Sequence, residues 1–264
     1  MKKIILIIII FVTAIFFIYS KDNDVNTPNI WKDAKEKFEY FNNDNLERYK
    51  SYKEKNPNMK IEEIIVYVNI GLDNSFYTNT KPSKNINSNT VIVNKYNYLE
   101  KDYVPNNLVS INGRTKMVDY AAEAFNKMIS DAKKENYNII GVSGYRSYNY
   151  QSNLYNKYVK QDGVEKTDTY SARAGFSEHQ TGLAIDVSND KLSYTSFEKT
   201  KEFNWMQENA YKYGFIMRYP KDKENITGYS YESWHYRYVG KEIANYIKKH
   251  NITYDEYYAM FLDK

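Results

Sequence analysis

The chain has 264 residues, 42% of them hydrophobic and 27% charged, with a formal net charge of +4. That is long and apolar enough for one catalytic domain with an extension, and it excludes a globally disordered chain. The near-balanced charge, without a long basic block, argues against a nucleic-acid partner, and the absence of cysteine excludes a disulfide scaffold, a thiolate metal site and a cysteine nucleophile.

Met1-Lys2-Lys3 is a short basic start, and Ile4 to Tyr19 is almost wholly apolar, broken only by Thr13. This pattern predicts a signal peptide or N-terminal membrane anchor over residues 1–20. Bulky Phe17-Ile18-Tyr19 offers no small-x-small cleavage site, and the two lysines place the rest of the chain outside the cytoplasm. Residues 21–90 are expected to be a linker and an accessory helical segment. Phe38, Phe41 and Tyr49 recur there at roughly helical spacing, Pro57 ends the pattern, and Ile61 to Ile70 reads as a second helix or a buried strand. Asn74 to Asn89, dense in Asn, Ser, Thr and Pro, is a loop.

Residues 91–264 read as one domain. Val91 to Val93, Ile139 to Ser143, Gly182 to Val187 and Gly214 to Arg218 are expected strands. Arg114 to Glu135, Tyr148 to Gln161, Thr200 to Tyr213 and Lys241 to His250 are expected helices, the first with Met117, Ala121, Ala124, Phe125 and Met128 on one face. Strands and helices without regular alternation predict an α+β fold rather than a doubly wound sheet.

Of the three histidines, two fall in clusters suited to zinc chemistry. In Ser177-Glu178-His179-Gln180-Thr181-Gly182-Leu183-Ala184-Ile185-Asp186, His179 enters and Asp186 ends an apolar strand, with Gly182 and Ala184 allowing close backbone approach. In Glu232-Ser233-Trp234-His235, a Glu three residues before a His shares one side of a turn or helix with it. Two imidazoles and a carboxylate leave one tetrahedral zinc position open to water, and a further carboxylate can move the proton. Taken singly, each of these residues is more often structural; their joint spacing is what points to a site. His250, at an expected helix C-terminus, suits the helix dipole. Trp234 reads as a packing wall, Asp119 and Glu123 as solvated charges, and Tyr229, Tyr231, Tyr236 and Tyr238 as alternating between core and cleft.

The pattern Ser177-x-His179-x-x-Gly182-x-Ala184-x-Asp186 followed by Glu232-x-x-His235 resembles the signature of VanY-type D-alanyl-D-alanine carboxypeptidases and LdcB-like peptidoglycan zinc peptidases. Ser143-Gly144-Tyr145-Arg146-Ser147 with Gln151, Gly214-Phe215-x-x-Arg218-Tyr219-Pro220, and Gly228-Tyr229 match the same pattern, in order, over roughly Val91 to Ile247. The resemblance implies a zinc-peptidase fold of the lysostaphin, D-Ala-D-Ala-peptidase and hedgehog type, with a small mixed or antiparallel sheet flanked by helices. It implies one catalytic Zn2+ on His179, Asp186 and His235, with Glu232 as general base and acid. It gives Arg146 the oxyanion or the substrate's terminal carboxylate, and makes Ser177, Gln151, Tyr219 and Ser143 substrate-binding.

The function so implied is zinc-dependent removal of a terminal D-alanine, D,D- or L,D-linked, from peptidoglycan stem peptides. The enzyme is expected to be monomeric, in the bacterial cell envelope, either secreted or membrane-anchored. A peptidoglycan endopeptidase is the first alternative, and a non-catalytic, zinc-stabilised wall-binding module the second. A structural site alone has no use for Glu232.

Overall fold

In Ala184–Ser188, alternate residues face opposite sides of a sheet, so Ile185 and Val187 enter the core while Asp186 points the other way. The same alternation in His235–Tyr238 sends Tyr236 to the core and leaves His235 and Arg237 on the face of Asp186, with His235 directly opposite it. The computed structural model describes residues 30–189 and 193–263, and these strands are the centre of its principal sheet. The expected anchor over residues 1–20 lies outside the described residues. Among those that are described, no helix is long and apolar enough to cross a membrane.

The chain divides into two compact units between Ile65 and Val66. In the first, helices α1 (Ile30–Lys37) and α2 (Leu46–Lys55) flank a 3-10 turn at Asn43–Asn45. Tyr49 is fully buried there, its ring 6.0 Å from Trp31 and 5.1 Å from Phe41. Helix α3 (Ile61–Ile70) crosses the division, which resolves the choice between helix and strand in favour of helix.

In the second unit β1 (Lys81–Pro82) pairs in parallel with β2 (Asn97–Tyr98), and β3 (Leu108–Ser110) pairs antiparallel with β4 (Lys116–Val118). Helix α4 (Asp119–Lys134) follows. Next come β5 (Ile140–Ser143), α5 (Tyr148–Asp162), α6 (Val164–Asp168) and β6 (Ala184–Ser188). Then α7 (Lys201–Asn209), β7 (Phe215–Met217), α8 (Glu224–Thr227), β8 (His235–Tyr238), α9 (Lys241–His250) and α10 (Tyr254–Phe261) complete it. The principal sheet is four-stranded and antiparallel, in the order β5-β6-β8-β7, so the fold is α+β as expected. One face packs on α4 through Ala121, Phe125 and Met128. Under the other, Ile216, Ala244, Ile247, Tyr254 and Tyr258 form a second core with α9 and α10.

Three expectations need correction. Val91 to Val93 are buried but form no strand, because side chains satisfy their carbonyls: Arg237 donates to Val91 O (2.6 Å) and Ser83 to Ile92 O (2.7 Å). The expected helix from Arg114 begins only at Asp119, since Lys116–Val118 pairs with β3 and Met117 serves the core from a strand. Asp186 sits in the middle of β6 rather than at its end. Gly182 has a reason of its own: it closes a 3-10 turn at φ +68°, where a Cβ would also press on Leu108 and Val118 at about 3 Å.

Candidate active site

The register of β6 against β8 sets Asp186 directly opposite His235. His179 comes from a short 3-10 turn, Glu178–Thr181, that leads into β6. One ligand atom from each of these residues lies within 4.8 Å of the other two, and all three residues are buried. His235 Nδ1 is 2.9 Å from Asp186 Oδ1, and His179 Nε2 is 3.3 Å from Asp186 Oδ2. On its far side, the His179 ring donates from Nδ1 to the Gly144 carbonyl at 2.7 Å, so the Nε2 lone pair faces the aspartate. That Nε2 is buried without a hydrogen-bond partner. An orphaned imidazole nitrogen converging with a carboxylate and a second imidazole fits a zinc ion.

Gly144 is needed where it stands. A Cβ there would collide with the Lys116 backbone oxygen, so only glycine lets this strand end approach closely enough to hold His179. Arg146 follows, its backbone N–H donating to His179 O at 3.1 Å and its guanidinium 3.8 Å from Asp186 Oδ2. The Arg146 Nε is buried without a partner. Glu232 sits on the turn before β8, with Oε2 3.8 Å from His235 Nδ1.

Burial pushes the Glu232 carboxyl up to about 7, helped by the charge of Asp186 and opposed by His235 and Arg146. Burial, with Arg146 nearby, pushes the His179 imidazole down to about 4, despite Asp186. Burial lowers His235 too, but the hydrogen bond to Asp186 and the neighbouring carboxylates of Glu178 and Glu232 outweigh it and carry the imidazole up to about 9. Desolvation works against Asp186 too, but the two imidazoles hold its carboxyl well below the usual range.

A cavity of about 300 Å³ opens over these groups. Arg146, Gln151, Ser177, His179, Asp186, Tyr219, Glu232 and His235 all line it, so eight of the residues singled out in the sequence share one space. Ser143 is not among the lining residues; it lies across from Asp186 in the β5–β6 pairing. Gln151 donates to Ala172 O (2.8 Å), leaving its Oε1 buried and unpartnered. The Tyr219 ring lies tilted against its neighbours, 4.9 Å from the His235 ring and 4.8 Å from that of Tyr229.

The sequence reading missed most of the outer wall: Tyr158, Tyr170 and Tyr194 line the cavity as well, and Tyr194 meets Trp234 edge-on at 5.4 Å. Nothing local marks those tyrosines in a chain with 29 of them. Tyr229 and Tyr231 face the cleft and Tyr236 the core, as expected of an alternating set. His250 ends α9, and Asp119 and Glu123 are exposed.

A family model described as VanY, D-alanyl-D-alanine carboxypeptidase, matches residues 114–241, which contain all of these site residues. Solved relatives decide the matter. The LdcB LD-carboxypeptidase is 40% identical with a TM-score of 0.64, the match covering 69% of this chain and 91% of that one. VanY of the VanB-type resistance cassette, solved with Zn(II), is 31% identical with a TM-score of 0.57, covering 64% and 98%. This chain belongs to the VanY D-alanyl-D-alanine carboxypeptidase family. A D-alanyl-D-alanine carboxypeptidase of Enterococcus faecium is 37% identical over 197 residues, 74% of this chain. The chain spans 59 to 66% of the length of the first curated relatives it matches.

Proposed function

We propose that this VanY-family protein is a zinc carboxypeptidase that removes the terminal D-alanine from peptidoglycan stem peptides. The observation that carries the reading is the convergence of His179, Asp186 and His235 on one point beside Glu232, inside a single cavity. His179, Asp186 and His235 would hold a zinc ion, which would lower the pKa of a bound water to about 7 and polarise the scissile carbonyl. Glu232 takes a proton onto its carboxylate and returns it to the leaving amine, a function suited to a carboxyl that burial pushes up from its ordinary value. Arg146 offers its unpaired Nε to the developing oxyanion or the terminal carboxylate. Ser177, Gln151 and Tyr219 enclose the terminal residue, with the free Gln151 Oε1 accepting from its N–H, and Ser143 supports them from β5.

In this reading residues 91–264 are the catalytic domain and 21–90 the accessory segment. The apolar run before them delivers the enzyme to the outer face of a membrane, where its peptidoglycan substrate lies. It acts as a monomer without a nucleic-acid partner.

The test incubates the zinc-loaded full chain with synthetic stem pentapeptide and tetrapeptide and reads products by mass, alongside Glu232→Ala. Loss of one D-alanine, slowed roughly 10²–10⁴-fold in the variant, is expected. Loss from the pentapeptide marks D,D activity, and loss from the tetrapeptide L,D activity. Full activity in Glu232→Ala would sink the assignment. Cleavage of cross-linked muropeptides alone would make the protein an endopeptidase, and no cleavage with zinc bound would make it a wall-binding module.

A further inference from the structure

A neutral imidazole has one lone pair, so a histidine can ligate through one nitrogen only if its proton is held on the other. For His179 the Gly144 carbonyl does this at 2.7 Å. His235 is turned the opposite way. Its Nδ1 faces Asp186, while its Nε2 points behind the site, buried and without a hydrogen-bond partner. The group it meets there is Glu178, whose Oε2 is 3.6 Å away and is itself buried and unpartnered. Both orphaned atoms would be satisfied by a shift of a few tenths of an ångström toward each other.

The Glu178 carboxylate cannot turn away. Its other oxygen, Oε1, accepts from Arg218 Nε and from Arg237 at 2.8 Å each, and both guanidiniums are buried. Rotating it would take a shared carboxylate oxygen from two buried guanidiniums, a larger cost than a small movement of one ring.

We infer that Glu178 is a positioning residue for the metal centre: by accepting from Nε2–H it fixes the His235 ring with the Nδ1 lone pair toward Asp186 and His179. The two histidines therefore serve the site through opposite nitrogens, each oriented by a different oxygen behind it. This rests on the zinc reading of the site. Glu178 is also the counter-ion of Arg218 and Arg237, and an isosteric change separates the two functions. In Glu178→Gln the amide oxygen still serves the arginines, but the NH2 faces Nε2 as a donor. That favours the wrong tautomer, with the proton on Nδ1.

The experiment labels the full chain with ¹⁵N in its three histidines and records spectra of the zinc-loaded protein. Zinc affinity is measured in parallel by competition with a chromophoric chelator. The expected result is one histidine bound through Nδ1 with a slowly exchanging Nε2 proton and another bound through Nε2. In Glu178→Gln, that proton signal is lost and the zinc dissociation constant rises about 10- to 100-fold. Coordination of His235 through Nε2, or affinities within twofold of each other, would overturn the assignment of Glu178 while leaving the zinc site intact. Should Glu178→Gln not fold, the wild-type spectrum alone decides. Absence of any zinc-shifted histidine would remove the zinc reading and this inference together.

Discussion

His235 stands between two buried charged clusters built on opposite principles. Behind it, two guanidiniums meet two carboxylates: Arg218 forks onto Asp255 at 2.6 and 3.2 Å, and Arg218 and Arg237 share Glu178. Asn94 completes the set by donating to Asp255 at 2.8 Å. In front, Asp186, Glu232 and two imidazoles converge with only Arg146, 3.8 Å off, as a fixed cation, and several of their atoms have no partner. The rear cluster is neutral and, but for the Glu178 oxygen turned toward His235, paired within itself, so its worth is chiefly structural. The front cluster is complete only with an added cation, which is how a binding site differs from an ion network.

The largest expected effect should fall on the rear. Asp255→Ala leaves Arg218 buried with half its partners and should cost about 3–5 kcal/mol in urea unfolding. If that variant were as stable as wild type, the rear cluster would not be a closed unit. Stripping the front comes next. Chelation should abolish activity and, with zinc initially at ~1,000 times its dissociation constant, lower stability by about 4 kcal/mol, both restored by re-addition. A chelated protein with an unchanged melting temperature would mean that the front cluster holds no ion.

A third case sits behind Tyr229, one of the cavity-lining residues, where neither principle is satisfied. Lys95 is buried, its ammonium donating to Asp168 O at 2.6 Å and lying 4.5 Å from the Tyr229 ring centre. Burial pushes this ammonium from 10.5 down to about 8, against the attraction of Asp168. Between those values the unfolded chain keeps the proton that the native state has lost. Stability therefore rises with pH across the window, and below about 8 the cost of the buried charge is present in full. Lys95→Met should flatten that rise, worth up to about 3 kcal/mol, in unfolding measured from pH 8 to 10. Above that range Tyr77, pushed up to about 12 chiefly by burial, contributes with the opposite sign. A slope unchanged in Lys95→Met would clear Lys95 of any such cost.

Legibility in the sequence divides along the same line. The front was legible because the ligands and Glu232 come from two short segments whose spacing is dictated by strand pleat and a single turn. Three strands of the sheet were legible from runs such as Ile139 to Ser143, but β8 was not expected as a strand, and α9 was legible over Lys241 to His250. The rear was not, because Asp255, Asn94, Arg218 and Glu178 are brought together from segments far apart in the chain, and no local pattern marks a buried arginine. Glu178 stood in plain view beside His179, yet its part depends on two arginines remote in the chain, Arg218 just after β7 and Arg237 in β8. Val91 to Val93 misled for a related reason: they are as apolar as a strand, but a remote guanidinium replaced the ladder. Helix α10 was overlooked because Tyr254–Phe261 lacks a clear apolar stripe, and what fixes it is its cap.

That cap supplies the smallest and most discriminating test. Thr253 accepts from Glu256 N at 3.1 Å, and Glu256 accepts in return from Thr253 N at 2.6 Å, a reciprocal capping box at the start of α10. Asp255 lies in the first turn it organises, so the cap presents the carboxylate that Arg218 grips. Thr253→Ala removes the side-chain half of the box and should cost about 1 kcal/mol in thermal unfolding, largely recovered by Thr253→Ser. If the rear cluster is a closed structural unit, this loosening stops there and zinc affinity stays within twofold of wild type. If affinity falls tenfold instead, the rear is no passive buttress, and disturbance at α10 reaches the metal-facing ring through Arg218 and Glu178.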